Sequence, residues 1–296
     1  MSKSLSPVIK WSGSKRKIAL NLSKLLPSDG RYFEPFIGGG AVLGALGPRE
    51  STASDVIPEL VDLWLAIRDK PEALADSYEN DWKSLQLVGH THFYEVRDRF
   101  NQNRRPEDLL FLSRTCVNGL IRFNKMGGFN NSFHHTRPGI SPLTLREVIH
   151  DWSVRVSKTK FIATDYEETL REAKAGDTVY LDPPYAATKG RYLPNSMDLD
   201  RFWSVLEQLN KRGVYWVLSY DGHAGDRDYS SALARPTELA KRRMMVRVGS
   251  SPFPRVMNGR VDDVTESVFM NFDPDEGVET NLFNVVYDEL SGGMSK

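Results

Sequence analysis

The feature that most constrains this chain is a short β-prone run, Arg31 to Phe36, that breaks at Gly38, Gly39 and Gly40 and resumes as a helical stretch from Ala41 to Leu46. A strand that turns through glycine into a helix belongs to an α/β sheet. The alternation then repeats. Ser51 to Val56 reads as a second strand ending near Asp55, followed by a helical period over Leu60 to Ile67. Far along the chain, Lys160 to Thr164, Thr178 to Leu181 and Val214 to Ser219 read as strands. Helical stretches at Glu167 to Ala173 and Leu199 to Lys211 separate them. Strands alternating with helices predict a parallel-rich α/β sheet, with ligands at the carboxyl ends of its strands.

Between the two halves, from Glu59 to Lys158, the pattern is helical and polar, with no run of buried parallel strands. The expected organisation is therefore a sheet-bearing domain in two pieces, 1–58 and 159–296, around an insert at 59–158. The later part of the insert, from Asn118 to Pro142, is rich in Asn, Gly, Arg, His and Pro and reads as an ordered loop region. The formal net charge is zero, which argues weakly against a nucleic-acid partner. Its distribution argues the other way. From Arg97 to Lys160 there are twelve Lys or Arg against five Asp or Glu, enough to neutralise several phosphates. A second basic run spans Lys241, Arg242, Arg243, Arg247, Arg255 and Arg260. For either run alone, a solvated face is the bland alternative.

The lone cysteine, Cys116, allows neither an internal disulfide nor a cysteine metal cluster, so a reducing compartment is expected and a zinc fold is not. The first residues lack the apolar core of a signal peptide, and no stretch approaches the roughly 20 apolar residues of a membrane span. A soluble cytoplasmic protein with no membrane partner is the expectation.

Three segments carry chemistry. In Phe33 to Val42 the strand runs into a turn without the side chains that would block a ligand, and its glycines do not follow the G-x-G-x-x-G spacing of nicotinamide enzymes. Such a turn fits a nucleoside cofactor without a pyrophosphate. Asp55, at the next strand end, suits ribose hydroxyls, or else caps a helix. In YLDPPY, Tyr180 to Tyr185, a carboxylate, two prolines and an aromatic ring follow a buried strand. Pro183 and Pro184 lack N–H groups and fix the backbone, which leaves carbonyl oxygens as free acceptors. Acceptors at Asp182 and the Pro183 carbonyl suit a planar amine such as adenine N6. Hydrogen bonds to both of its protons favour a pyramidal nitrogen and stabilise developing positive charge. Tyr185 can stack on a base drawn out of the duplex. A rigid turn is the alternative.

The ordered set of segments resembles the Dam-type (class alpha) DNA adenine N6-methyltransferase family along most of the chain. KWSGSK at Lys10 to Lys15 resembles the family's amino-terminal cofactor motif, EPFIGGGAV its Phe-x-Gly-x-Gly motif, SDV at Ser54 to Val56 its acidic motif and LDPPY its catalytic one. Asn118 to Leu120, Arg122, Asn124 and Gly127 to Asn130 resemble its DNA-recognition region. The resemblance implies a Rossmann-like S-adenosylmethionine-dependent methyltransferase sheet with an inserted, mainly helical DNA-recognition domain. It implies S-adenosylmethionine as cofactor, held by Trp11, Lys15, Phe36, Gly38, Gly40, Asp55, Asp165, Tyr166 and Asp182. Asp182, Pro183, Pro184 and Tyr185 would act on the amine, and no metal is implied. Arg114, Asn118, Arg122, Asn124, Lys125 and Arg137 are the candidates for contact with double-stranded DNA. A bacterial or phage-encoded protein, acting alone or beside a cognate restriction endonuclease, fits the same resemblance.

The chain departs from the family's pattern at Ile57, where Asn is frequent, and at NSFHHTRPG, which intervenes after GGFN, so no target sequence transfers. NGRVDDVTESVFMNF resembles the family's closing strands, and the basic run ahead of it is placed to reach the DNA backbone. Cytosine N4, RNA adenine or a side-chain amide are rival substrates, although Asp before Pro-Pro favours adenine by resemblance. A silent DNA-binding relative and an oxidoreductase are rivals of other classes.

Overall fold

The computed structural model describes residues 5–11, 13–136, 138–184, 197–220, 234–250 and 263–274. Among these residues a seven-stranded sheet runs in the order β3-β2-β1-β4-β5-β7-β6. The strands are β1 (Tyr32–Glu34), β2 (Ser51–Asp55), β3 (Thr159–Ala163), β4 (Thr178–Leu181), β5 (Tyr215–Tyr220), β6 (Arg242–Ser250) and β7 (Asp263–Met270). The first five are parallel, and β7 pairs antiparallel with both β5 and β6. The expected sheet is present, and β1 ends at Glu34 because Pro35 has no N–H for the ladder.

Side chains leave each strand alternately, so the sheet has two buried faces. Tyr32, Tyr180 and Val217 belong to one apolar cluster, and Phe33, Val179, Leu181, Trp216 and Leu218 to the other. Helices α8 (Tyr166–Arg171) and α9 (Leu199–Lys211) cover the second face. In α9, Phe202, Val205, Leu206 and Leu209 recur at helical spacing and are all buried. The first face is covered by α1 (Ala19–Leu25), α2 (Ala41–Leu46) and α3 (Pro58–Asp69).

Between β2 and β3 the chain forms α3, α4 (Pro71–Val88), α5 (His90–Asn103), α6 (Pro106–Thr115) and α7 (Pro142–Arg155). Four of these five begin with proline, which fixes the first helical φ and gives up an N–H that no helix uses. The last helix before β4 is α8, and α10 (Ala234–Leu239) precedes β6. The insert does not carry a separate core. Phe93, Phe100, Phe111 and Phe129 belong to the same buried cluster as Leu22, Trp64 and Tyr180.

The segment from Phe129 to His135 runs back along α5, with Phe129, Phe133 and His135 meeting Phe100, Phe93 and His90 in turn. Phe123 and Phe129 face each other across a tight turn, in which the Asn124 carbonyl oxygen Oδ1 accepts the N–H groups of Met126 and Gly128, both at 2.9 Å. Asn101 of α5 pins the turn through both main-chain groups of Phe129. No helix among the described residues is long and apolar enough to cross a membrane.

Candidate active site

Strand order reverses between β1 and β4: β2 and β3 lie to one side, β5 to the other. Loops leaving the carboxyl ends of β1 and β4 diverge there, which opens a crevice. Neighbouring strands are about 4.8 Å apart, so the ends of β3, β2, β1 and β4 form a row roughly 15 Å long. That row carries Asp165, Asp55, the glycine turn and Asp182 in turn, although up to 144 positions separate them in the chain, from Gly38 to Asp182.

The glycine turn is shaped for close approach. Gly38 has φ +45°, and a Cβ there would fall 2.7 Å from Nε1 of Trp11. The Trp64 indole N–H donates to the Gly38 carbonyl at 3.0 Å, which locks the turn from below. Asp55 accepts the N–H groups of Gly38 (3.3 Å) and Ile57 (3.2 Å). Burial raises its pKa to about 6, against the lowering effect of those amides. A carboxylate held this way keeps lone pairs for hydroxyl donors, and the glycine leaves bare backbone beside it. These features fit a nucleoside.

At the β3 end, Asp165 caps α8 by accepting the Glu167 N–H at 3.0 Å, and Arg201 of α9 is paired with it at 2.7 Å. The Tyr166 ring is buried, stacked on Phe36 with centroids 5.4 Å apart and edge-on to Phe202. The structure thus brings Phe36, Asp165 and Tyr166 into one aromatic corner with a carboxylate at its rim.

At the β4 end, Lys15 reaches in from the segment before α1 and is only 3 % exposed. Its Nζ lies 2.9 Å from Asp182 Oδ1 and 3.4 Å from Glu266 Oε1 of β7, and donates to the Gly13 carbonyl at 3.3 Å. Burial alone would lower the ammonium's pKa, but Asp182 and Glu266 outweigh it and hold the pKa above its ordinary value. Asp182 is pushed up to about 6, first by burial and then by Glu266, with Lys15 opposing. On β1, burial pushes Glu34 up to about 8 even though the Tyr32 hydroxyl donates to it at 2.7 Å. Pro183 is buried and Pro184 exposed. Tyr185 lies outside the described residues.

A model of the D12 class N6 adenine-specific DNA methyltransferases matches residues 11–245. The chain belongs to this family. Retron Ec67 DNA adenine methylase of Escherichia coli is 27% identical over 293 residues, covering 94% of this chain and 98% of its own. The type II methyltransferase M1.LlaDCHI of Lactococcus lactis subsp. cremoris is 28% identical over 233 residues, 73% of this chain and 81% of its own. The DNA adenine methylase of Vibrio cholerae is 28% identical over 224 residues, 71% and 79% respectively. As a member of the D12 class, the protein is an adenine-specific DNA methyltransferase.

In this methyltransferase the residues read as DNA contacts take different places. Asn118, Arg122, Asn124 and Lys125 are exposed around the tight turn. Asn118 has a left-handed backbone (φ 57°), and Arg122 donates to Asn130 at 2.9 Å. Arg137 lies outside the described residues.

Arg114 does not share that surface. It is 6 % exposed, and its guanidinium donates to the carbonyls of Val8, at 2.9 Å, and Pro7. It ties the amino-terminal segment to α6, and its place as a DNA contact is corrected accordingly. The basic excess of the insert is also smaller than the count from Arg97 onward implies. Arg99 is bound to Asp81 and Asp108, and Arg146 to Glu72, Asp76 and Glu79. Four of those five acids precede Arg97 in the chain. In the second run, Arg242 pairs with Asp273, and Arg243 lies over the Phe269 ring.

Sequence reading missed Glu266 and Glu34. For Glu34 the signal was an acid closing an apolar run, which is rare without a partner, whereas Glu266 sits among Asp263, Thr265 and Ser267 and carries no local signal.

Proposed function

We propose that this chain moves the methyl group of S-adenosylmethionine to N6 of an adenine drawn out of double-stranded DNA, in one direct displacement at the β4 end of the crevice. The observation that carries the reading is the Asp182 carboxylate, fixed by the buried Lys15 ammonium beside a glycine turn that a single Cβ would obstruct.

S-adenosylmethionine, when bound, supplies an electrophilic methyl on a sulfonium. Trp11, Phe36, Gly38, Gly40, Asp55, Asp165 and Tyr166 would hold it along the row of strand ends, with Asp55 accepting from ribose hydroxyls. Asp182 and the Pro183 carbonyl accept the two N–H bonds of the amine and draw its lone pair out of the ring. Transfer would form the nitrogen–carbon bond as the sulfur–carbon bond breaks, and the surplus proton on the methylated nitrogen would pass to the Asp182 carboxylate and on to solvent. The leaving thioether is neutral, so no metal has to stabilise it. The rate comes from positioning and fixed charge. Tyr185 is the ring proposed to receive the base. Asn118, Arg122, Asn124 and Lys125, with Arg137, are proposed to engage the duplex, and 59–158 to act as the target-recognition insert. A bacterial cytoplasm, with or without a partner endonuclease, is the proposed setting.

The test is expression in a methylation-free bacterial host, with modified bases mapped by single-molecule sequencing and Asp182→Ala as control. Methylated adenine at one short sequence, absent from the control, is the expected result. Methylated cytosine, or unmodified DNA from well-expressed protein, refutes the reading.

A further inference from the structure

Glu266 gives the β4 end a charge that neither Lys15 nor Asp182 accounts for. Asp182 and Lys15 alone form a neutral pair at 2.9 Å. Glu266, 8 % exposed, adds a second carboxylate to the same ammonium at 3.4 Å. Its other oxygen, Oε2, is buried and has no hydrogen-bond partner among the described residues. Glu34, the next acid along the sheet, has a pKa of about 8 through burial and is largely neutral at pH 7. Among the described residues, the single Lys15 ammonium thus faces two carboxylates, Asp182 and Glu266. A surplus carboxylate in a buried setting is costly unless a cation completes it.

The proposed reaction brings one cation and removes it. The methyl donor bears a sulfonium, and the thioether left after transfer is uncharged at sulfur, while the rest of the molecule is unchanged. We propose that Glu266 is a positioning residue whose charge, transmitted through Lys15, makes the site hold the cationic methyl donor more tightly than its neutral thioether product. This rests on the reading of the crevice as the S-adenosylmethionine site. Two charges several ångströms apart in a partly buried site interact strongly enough to change affinity about tenfold. Glu266 thereby favours exchange of the product for a fresh methyl donor once the methyl has left.

The test is isothermal titration calorimetry at pH 7.5 with three ligands: S-adenosylmethionine, S-adenosylhomocysteine, and sinefungin, which carries an ammonium in place of the sulfonium. Wild-type protein is expected to bind the two cationic ligands more tightly than the homocysteine. Glu266→Gln is expected to lose about tenfold for both cationic ligands and less than twofold for the neutral one, and Glu266→Asp to keep the wild-type ratio. Equal losses for all three ligands would assign Glu266 to the shared amino group instead and overturn the proposal. Wild-type protein that binds the homocysteine as tightly as sinefungin overturns it without any variant. Wild-type protein that binds none of the three removes the methyl-donor reading itself, and the proposal with it.

Discussion

Lys15→Met should move the acid limb of the activity profile rather than only lower its plateau. In the wild type, Asp182 has a pKa of about 6, so its carboxylate is mostly ionised and able to accept an amine N–H at neutral pH. The Lys15 ammonium, 2.9 Å away, opposes the burial that raises that pKa. Two unit charges at this separation interact by about 6 kcal/mol at an effective dielectric of 20. The Asp182 side chain is 21% exposed, and solvent screening brings the interaction to about 2 kcal/mol. At 1.36 kcal/mol per tenfold change in proton affinity, Asp182 in the variant titrates near pH 7.5. Glu266, left without its cation, pushes in the same direction. The sign is fixed: low pH protonates Asp182 and removes the acceptor, so the variant loses activity between pH 8 and 7, where the wild type keeps it. Methyl transfer to DNA, followed as kcat/KM from pH 5.5 to 9.5, reads the limb directly because kcat/KM reports the free enzyme. A lower plateau with the limb still near pH 6 would refute the electrostatic role of Lys15 and leave it a simple ligand contact.

Gly38→Ala should weaken S-adenosylmethionine binding at least tenfold with little change in fold, because φ +45° disfavours alanine and its Cβ meets the Trp11 indole; unchanged affinity by calorimetry would remove the close-approach role of the turn. Arg114→Met should lower stability by about 2–4 kcal/mol, read as a melting-temperature drop of roughly 5–10 °C, since it abandons charge-assisted bonds to the Val8 and Pro7 carbonyls. The salt dependence of DNA binding should stay the same, and a shallower slope in a variant of unaltered stability would return Arg114 to the DNA surface.

What the sequence disclosed depended on how far the chemistry was spread along it. The glycine turn and Asp182 each sit at the end of a short apolar run, and Asp55 at the end of a short β-prone one, so strand and functional residue are read in one window. Their collection into one row was also legible, because parallel strands place all carboxyl ends on one edge. Arg114 was misread because a cation in a basic stretch looks the same whether it faces phosphate or two main-chain carbonyls over a hundred positions away. Arg99 and Arg146 mislead for the same reason, since a window that starts at Arg97 leaves out four of the five acids that neutralise them. Glu266 is the extreme case. About 250 residues separate it from Lys15, and only the antiparallel return of β7 onto β5 brings it to the β4 end. Local motifs therefore disclose which groups can react, whereas the net charge in which they react is a property of the assembled sheet. That division makes the Lys15 and Glu266 variants complementary: the first changes when Asp182 ionises, and the second changes which charge on the ligand the ionised site prefers.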